Sequence, residues 1–276
     1  MNPNLDSYLE EAEAVMQGGG PCGNGLGEPL YVGVDLGTAY TVLAVLDAEK
    51  RPLAGTYRFA NVVRDGLVVD FIGAIDLLRQ LKRQVEARLG RELTHAATGY
   101  PPGVPRVEVR ATANVLIAAG LECTAVVDEP TAANAVLQVC NGAVVDVGGG
   151  TTGIAIFQDG NVIYTADEAT GGTHFTLVIA GALRIPFEKA EALKTNPAEQ
   201  ARLFPLVRPV MEKVGTIVAR HIARYPVEHI YLVGGTAAYP GIAQVVEEIV
   251  GVPTSVPGRP LFVTPLGIAM HDEPAG

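Results

Sequence analysis

Two distant stretches of this chain are written almost alike. Tyr31-Val-Gly-Val-Asp35-Leu-Gly37-Thr38-Ala39-Tyr-Thr41-Val-Leu-Ala-Val-Leu-Asp47 is echoed by Ala143-Val-Val-Asp146-Val-Gly148-Gly149-Gly150-Thr151-Thr152-Gly-Ile-Ala-Ile-Phe-Gln-Asp159-Gly160. Each has an apolar run ending in Asp, then Gly with Thr, then an alternating apolar run, which predicts strand, tight turn and antiparallel strand. The echo predicts two similar half-domains facing one another. Glycine in such turns lets backbone N–H groups converge on an anion, and the hydroxyls of Thr38, Thr151 and Thr152 add donors. Asp35 and Asp146 place one carboxylate on either side of the cleft, where hard oxygens suit a hydrated Mg²⁺. Together they predict a nucleoside triphosphate held between two lobes.

Composition narrows the field. At 276 residues the chain can bury a substantial core. Its 48% hydrophobic content and mean hydropathy of +0.26 exclude a disordered chain. A net charge of −10 argues against nucleic-acid binding, which needs a basic surface. The acidic first residues (Asp6, Glu10, Glu11, Glu13) are unlike a secretory leader, and no apolar run reaches membrane-spanning length. The expectation is a cytoplasmic protein without nucleic-acid or membrane partners. Cys22, Cys123 and Cys140 lack metal or redox spacing and read as free thiols.

Along the chain, residues 4–17 predict a short amphipathic helix with Leu5, Tyr8, Leu9, Ala12, Val15 and Met16 on one side, followed by a Gly-rich linker over 18–28. That helix either covers the protein's own surface or docks a partner. Residues 1–29 form this extension, 30–141 a first lobe completed by 265–276, and 142–264 a second lobe. The first lobe carries a third strand from Pro52 to Phe59, helices over 72–89 and 106–119, a short buried strand at 125–128, and a helix from Glu129 through Val139. In the second lobe helices are expected over 175–183, 187–194 and 206–225, a strand at 229–233, a helix to Val250, and a last helix over 264–270. Alternating strands and helices indicate an α/β fold with ligands at strand C-terminal ends.

At this point the motifs resemble those of the actin-like, sugar-kinase and heat-shock-chaperone (DnaK-type) ATPases, whose fold is a pair of ribonuclease-H-like lobes around a nucleotide cleft. Asp35-Leu-Gly-Thr38 is similar to the first phosphate motif, Asp128-Glu-Pro-Thr-Ala-Ala-Asn134 to the first connecting helix, and Asp146-Val-Gly-Gly-Gly-Thr-Thr152 to the second phosphate motif. Tyr231-Leu-Val-Gly-Gly-Thr-Ala-Ala-Tyr-Pro-Gly241 resembles the adenosine motif and Pro265-Leu-Gly-Ile-Ala-Met270 the second connecting helix. Asp65-Gly66, Asp70-Phe71, His95-Ala-Ala-Thr, Asp167-Glu-Ala-Thr-Gly-Gly172 and Ile217-Val-Ala-Arg-His221 resemble, more closely, the ethanolamine-utilisation protein J (EutJ) family. That resemblance implies a chaperone-like ATPase working with the bacterial microcompartment that processes ethanolamine.

The resemblance also implies roles. Gly37, Thr38 and Ala39 would surround the β- and γ-phosphates of ATP or ADP, with Gly148, Gly149, Gly150, Thr151 and Thr152 clamping from the other lobe. Asp35 and Asp146 would hold Mg²⁺ through waters. Glu129 matches the residue that orients or deprotonates the attacking water, although a carboxylate there also suits a helix N-terminus. Glu191 and Lys194 match a pair contacting ribose and adenine, or form an ordinary surface ion pair. Gly234, Gly235 and Thr236 would leave room for the nucleoside. Ala132 and Ala133, with Gly267 and Ala269, would be a close helix crossing acting as a hinge.

The chain departs from the larger members in three ways: the stretch between Thr41 and the helix near Ile72 is short, the segment from Gly172 to His229 leaves little outer clamp, and no Lys stands where the chaperones carry a catalytic one. A peptide-binding domain like that of the heat-shock chaperones is not expected, since the sequence stops soon after Met270. Outer subdomains are therefore expected to be reduced, and the protein to be a monomer or weak homo-oligomer. The functions implied are a slow Mg-ATPase switch acting on an ethanolamine-utilisation enzyme or microcompartment shell protein, with a catalytically weak nucleotide-binding adaptor and a small-molecule kinase as alternatives.

Overall fold

The structure, a computed structural model, describes residues 4–20, 29–64 and 66–274. Most of the linker expected over 18–28, and Cys22 with it, lies outside those residues; Cys123 and Cys140 are free thiols. Helix α1 (Leu5–Met16) comes first. Strands β1 (Tyr31–Leu36), β2 (Tyr40–Leu46), β3 (Pro52–Phe59), β4 (Val63–Arg64) and β5 (Leu67–Val68) lead to α2 (Phe71–Leu89), β6 (His95–Tyr100), α3 (Arg106–Ala118), β7 (Glu122–Asp128) and α4 (Glu129–Leu137). Then come β8 (Gly142–Val147), β9 (Thr152–Gln158), β10 (Asn161–Glu168), α5 (Gly172–Leu183), α6 (Phe187–Lys194) and α7 (Pro197–Ile222). Strand β11 (Ile230–Val233), α8 (Ile242–Val250), β12 (Thr254–Ser255) and α9 (Val263–Met270) finish the chain.

The internal echo becomes two five-stranded sheets of the same topology, β3-β2-β1-β6-β7 and β10-β9-β8-β11-β12. In each, the first three strands run antiparallel and the last two pair in parallel. This is the actin-like α/β architecture of two sheet-containing lobes. Each parallel step needs a crossover, which α2, α3, α7 and α8 provide. Local signals fix the helix ends. Asp70 Oδ1 accepts from Gly73 N at 2.8 Å at the start of α2, and Gly90, at φ +65°, ends it.

Three observations differ from the sequence reading. Helix α7 begins at Pro197, ahead of the expected start at 206, and runs through Pro205 as well as the Pro209 that the expected helix already contained. Asn196 caps its first turn, accepting from Ala198 N at 3.1 Å. Buried Leu203, Val207, Val210 and Met211 along one face supply packing that outweighs the lost backbone bonds. Strand β7 is an edge strand, longer than expected and half exposed, because nothing pairs with it beyond β6. Helix α4 stops at Leu137, where Gln138 turns left-handed at φ +56°.

Helix α1 folds back on the protein. Leu5, Leu9, Ala12, Val15 and Met16 are buried, and most of them share one apolar cluster with Val42, Ala44 and Leu46 of β2 and with Phe262 and Val263. Each such leucine contributes about 2 kcal/mol of burial free energy. Glu13 pairs with Arg259, and Asp6 accepts from Gly258 N, so the helix also touches the segment entering α9.

Helix α9 packs on α4, β1, β2 and β6. Its approach is backbone to backbone: a Cβ on Gly267 would lie 1.9 Å from the Ala132 carbonyl oxygen, and one on Gly33 would lie 2.5 Å from Ala269 N. Just beyond α9, Asp272 is buried, accepting from Val32 N at 2.8 Å and Thr124 Oγ1 at 2.5 Å and lying 2.7 Å from His95 Nδ1. The end of the chain is thereby sewn into the first sheet.

Candidate functional site

A cleft of about 730 Å³ lies between the two sheets. Its floor is built by the two echoed turns. The β1–β2 turn closes when Gly37 N donates to Tyr40 O at 3.1 Å, and the β8–β9 turn when Gly148 N donates to Thr151 O at 3.0 Å. The tips meet across the cleft: a Cβ on Gly149 would lie 3.0 Å from Ala39 N and 2.9 Å from Ala39 Cβ. Only glycine permits that approach. Thr38, Ala39, Gly150 and Thr151 line the cleft beside them.

Three carboxylates come together on this floor. Asp35 ends β1, Asp146 belongs to β8, and Glu129 begins α4. Burial, and then the charge of Asp146, pushes the Asp35 carboxyl up to about 7. Burial raises Asp146 to about 6, tempered by Thr264 Oγ1, which donates to its Oδ2 at 2.5 Å. Glu129 is raised well above the ordinary range by burial and by the neighbouring acids, Asp35 and Asp146 first among them. Capping of α4 falls to Asp128, whose Oδ1 accepts from Thr131 N at 3.1 Å, so Glu129 is left facing the cleft. Converging acids lifted first by burial, and for Asp35 and Glu129 also by their neighbours' charge, form a donor set that a hard cation relieves. Among the described residues no group of three or more His, Cys, Asp or Glu could hold a metal ion directly. Asp35 and Asp146 both line the cleft, and paired carboxylate oxygens are the kind of donors toward which Mg²⁺ keeps most of its water shell.

The far wall belongs to the second lobe. Lys194 Nζ donates to Glu191 Oε2 at 2.7 Å, to Thr176 Oγ1 at 3.0 Å and to Gly172 O at 3.2 Å. Thr176 Oγ1 lies 2.5 Å from Glu191 Oε2. This is a half-buried network at the cleft wall, unlike a solvated surface pair, and burial lowers the Lys194 ammonium. Gly234, at φ +88°, has no space for a Cβ, which would lie 2.2 Å from Asp146 Oδ1. Gly235 and Thr236 line the cleft beside it, and Thr236 Oγ1 donates to Gly148 O at 2.8 Å.

Thr152 stands apart from the other expected ligand residues. It is fully buried, outside the cleft lining, and its hydroxyl donates to Thr170 O at 2.6 Å. As the first residue of β9 it points into the lobe, and it anchors the turn instead of facing the cleft. The residues that sequence reasoning missed are Thr264, Tyr40, Arg64 and Pro101, all lining the cleft. Thr264 had a readable signal, a hydroxyl directly before the proline of the last helix. The others arrive from strands and a hairpin whose side chains no local pattern aims.

Comparison with known proteins follows the geometry. The family model of the cell division protein FtsA matches residues 143–267, and that of the MreB/Mbl protein matches residues 54–203. The ethanolamine utilization protein EutJ of Escherichia coli (strain K12) is 46% identical over 243 residues, covering 87% of this chain and 85% of that protein. The crystal structure of EutJ from Carboxydothermus hydrogenoformans superposes with a TM-score of 0.90 at 46% identity, covering 97% of this chain and 98% of that one. MreB 5 of Spiroplasma citri, solved bound to AMPPNP, superposes with a TM-score of 0.72 at 18% identity, covering 88% of this chain and 96% of that one.

Proposed function

This chain belongs to the ethanolamine utilization protein EutJ family, within the actin-like ATPases, and from that premise we propose that it is a Mg-ATP-dependent switch with slow hydrolysis. The observation that carries the reading is the convergence of Asp35, Asp146 and Glu129, drawn from both lobes, between two glycine-threonine turns. Anion-binding turns beside raised carboxylates make sense together only around a cation-bearing phosphate ligand.

Thr38, Ala39, Gly150 and Thr151 hold the phosphate chain. Glu191, Lys194, Gly234, Gly235 and Thr236 form the wall for the nucleoside. Asp35 and Asp146 would hold Mg²⁺ through its waters, and the ion would supply charge neutralisation at the phosphates. Glu129 orients the attacking water and takes its proton, which requires the ionised carboxylate that a cation bound at Asp35 and Asp146 favours. Closure of the lobes around ATP, and release after hydrolysis, alters a surface that engages an ethanolamine-utilisation enzyme or a microcompartment shell protein in a chaperone-like cycle. No described helix is long and apolar enough to cross a membrane.

Calorimetric titration with Mg-ATP and Mg-ADP, alongside phosphate release, tests this on wild type, Asp146→Ala and Glu129→Gln. Binding with slow turnover is expected in wild type, loss of binding in Asp146→Ala, and binding without turnover in Glu129→Gln. Absence of binding in wild type refutes the reading, and unchanged turnover in Glu129→Gln refutes the role given to that residue.

A further inference from the structure

The cleft holds few cations for a site that would take a triphosphate. Lys194 is committed to Glu191, Thr176 and Gly172 on the nucleoside wall. The ring of His174 is engaged by its own helix start, with Nδ1 accepting from Gly171 N at 3.3 Å. That leaves Arg64, which lines the same cleft from the first lobe and has no acidic partner recorded among the described residues. Its strand β4 pairs with β5 in a two-stranded hairpin outside both large sheets.

The hairpin is seated at the carboxylate end of the cleft. A Cβ on Gly66, at its turn, would lie 2.6 Å from Pro101 Cγ. Pro101 directly follows β6, and a Cβ on Gly99, near the end of that strand, would lie 3.3 Å from Glu129 Cγ. Pro101, Glu129, Asp35 and Arg64 all face the one cavity. The terminal phosphate of a bound ATP is the group beside Glu129 if that residue orients the attacking water. A guanidinium presents several donors in a planar fork that matches phosphate oxygens.

We propose that Arg64 contacts the terminal phosphate and is the residue by which this cleft distinguishes a nucleoside triphosphate from a diphosphate. The proposal rests on the Mg-nucleotide reading of the site. Arg64 is exposed, so its replacement leaves the core untouched.

The test is calorimetric titration of the full chain, wild type, Arg64→Ala and Arg64→Lys, with Mg-ATP and with Mg-ADP, and a melting curve for each variant. Arg64→Ala is expected to weaken Mg-ATP by roughly tenfold or more, the scale of one charge-assisted contact, while Mg-ADP stays within about twofold. Arg64→Lys is expected to recover part of the ATP affinity, at unchanged melting temperature. An ATP-to-ADP affinity ratio that is the same in Arg64→Ala and wild type overturns the assignment while leaving the nucleotide reading intact. Failure of wild type to bind either nucleotide overturns both.

Discussion

Replacing Asp35 with Asn should stabilise the metal-free protein by an amount that grows as pH rises from about 4 to about 7 and then levels off. Asp35 titrates from 3.8 in the open chain and is pushed up to about 7 in the fold. A carboxyl raised in this way contributes fully to stability below the unfolded value and loses that contribution as pH rises through the folded one. At about 1.4 kcal/mol per pH unit of separation, ionising Asp35 in the native cleft costs ~4 kcal/mol by pH 8. Asn has the same shape and no charge. After a deduction for burying its amide, the variant should be roughly 2–4 kcal/mol more stable than wild type at pH 8. For a chain of this size that is a melting temperature higher by about 5–10 °C. At pH 4 the native Asp35 keeps its proton and the advantage should vanish. Thermal unfolding followed by circular dichroism in chelator-containing buffers between pH 4 and 8 measures it. Millimolar Mg²⁺ should raise wild type toward the variant at pH 8 and should leave Asp35→Asn unmoved. A variant that melts at or below wild type at pH 8, or an offset independent of pH, would refute the argument that burial, with the charge of Asp146 beside it, disfavours ionised Asp35 in the metal-free cleft.

Other expectations follow from single contacts. Gly267→Ala places a methyl group 1.9 Å from the Ala132 carbonyl oxygen, so a loss of at least roughly 3 kcal/mol is expected in denaturant titration. Leu9→Ala empties a fully buried position under α1 and should cost about 2–5 kcal/mol in the same measurement, whereas a partner-docking helix would leave stability unchanged. Gly149→Ala pushes the two turns apart at Ala39; stability should shift by less than about 1 kcal/mol while Mg-ATP affinity falls roughly tenfold by calorimetry.

Repetition was the most readable part of this chain. Because Asp35-Leu-Gly-Thr and Asp146-Val-Gly-Gly-Gly-Thr are short, local and written twice, their strand-turn-strand geometry could be taken from order alone, and β1–β2 and β8–β9 have that geometry. The crossing of α4 on α9 was implied by the resemblance of its two motifs to the connecting helices, and its small residues let the helix backbones touch. Other features depended on tertiary context. The early start of α7 at Pro197 and its passage through Pro205 rest on a buried face packed on β9, α5 and α8, which no local window contains. The inward turn of Thr152 rests on which side of β9 faces the lobe, and residues two apart along a strand change sides together. Arg64 reached the cleft because its hairpin seats on Pro101, a contact across 35 positions of sequence.

The contact of Gly267 with Ala132 is made of main chain on both sides. Side chains can swap rotamers and let two helices slip past each other; main chain cannot. The spacing and register of α4 on α9 are therefore set by backbone, and neither helix can slide along the other without steric conflict. A larger residue at this contact forces the two helices apart, whereas one at a cleft turn changes only what lines the cavity there.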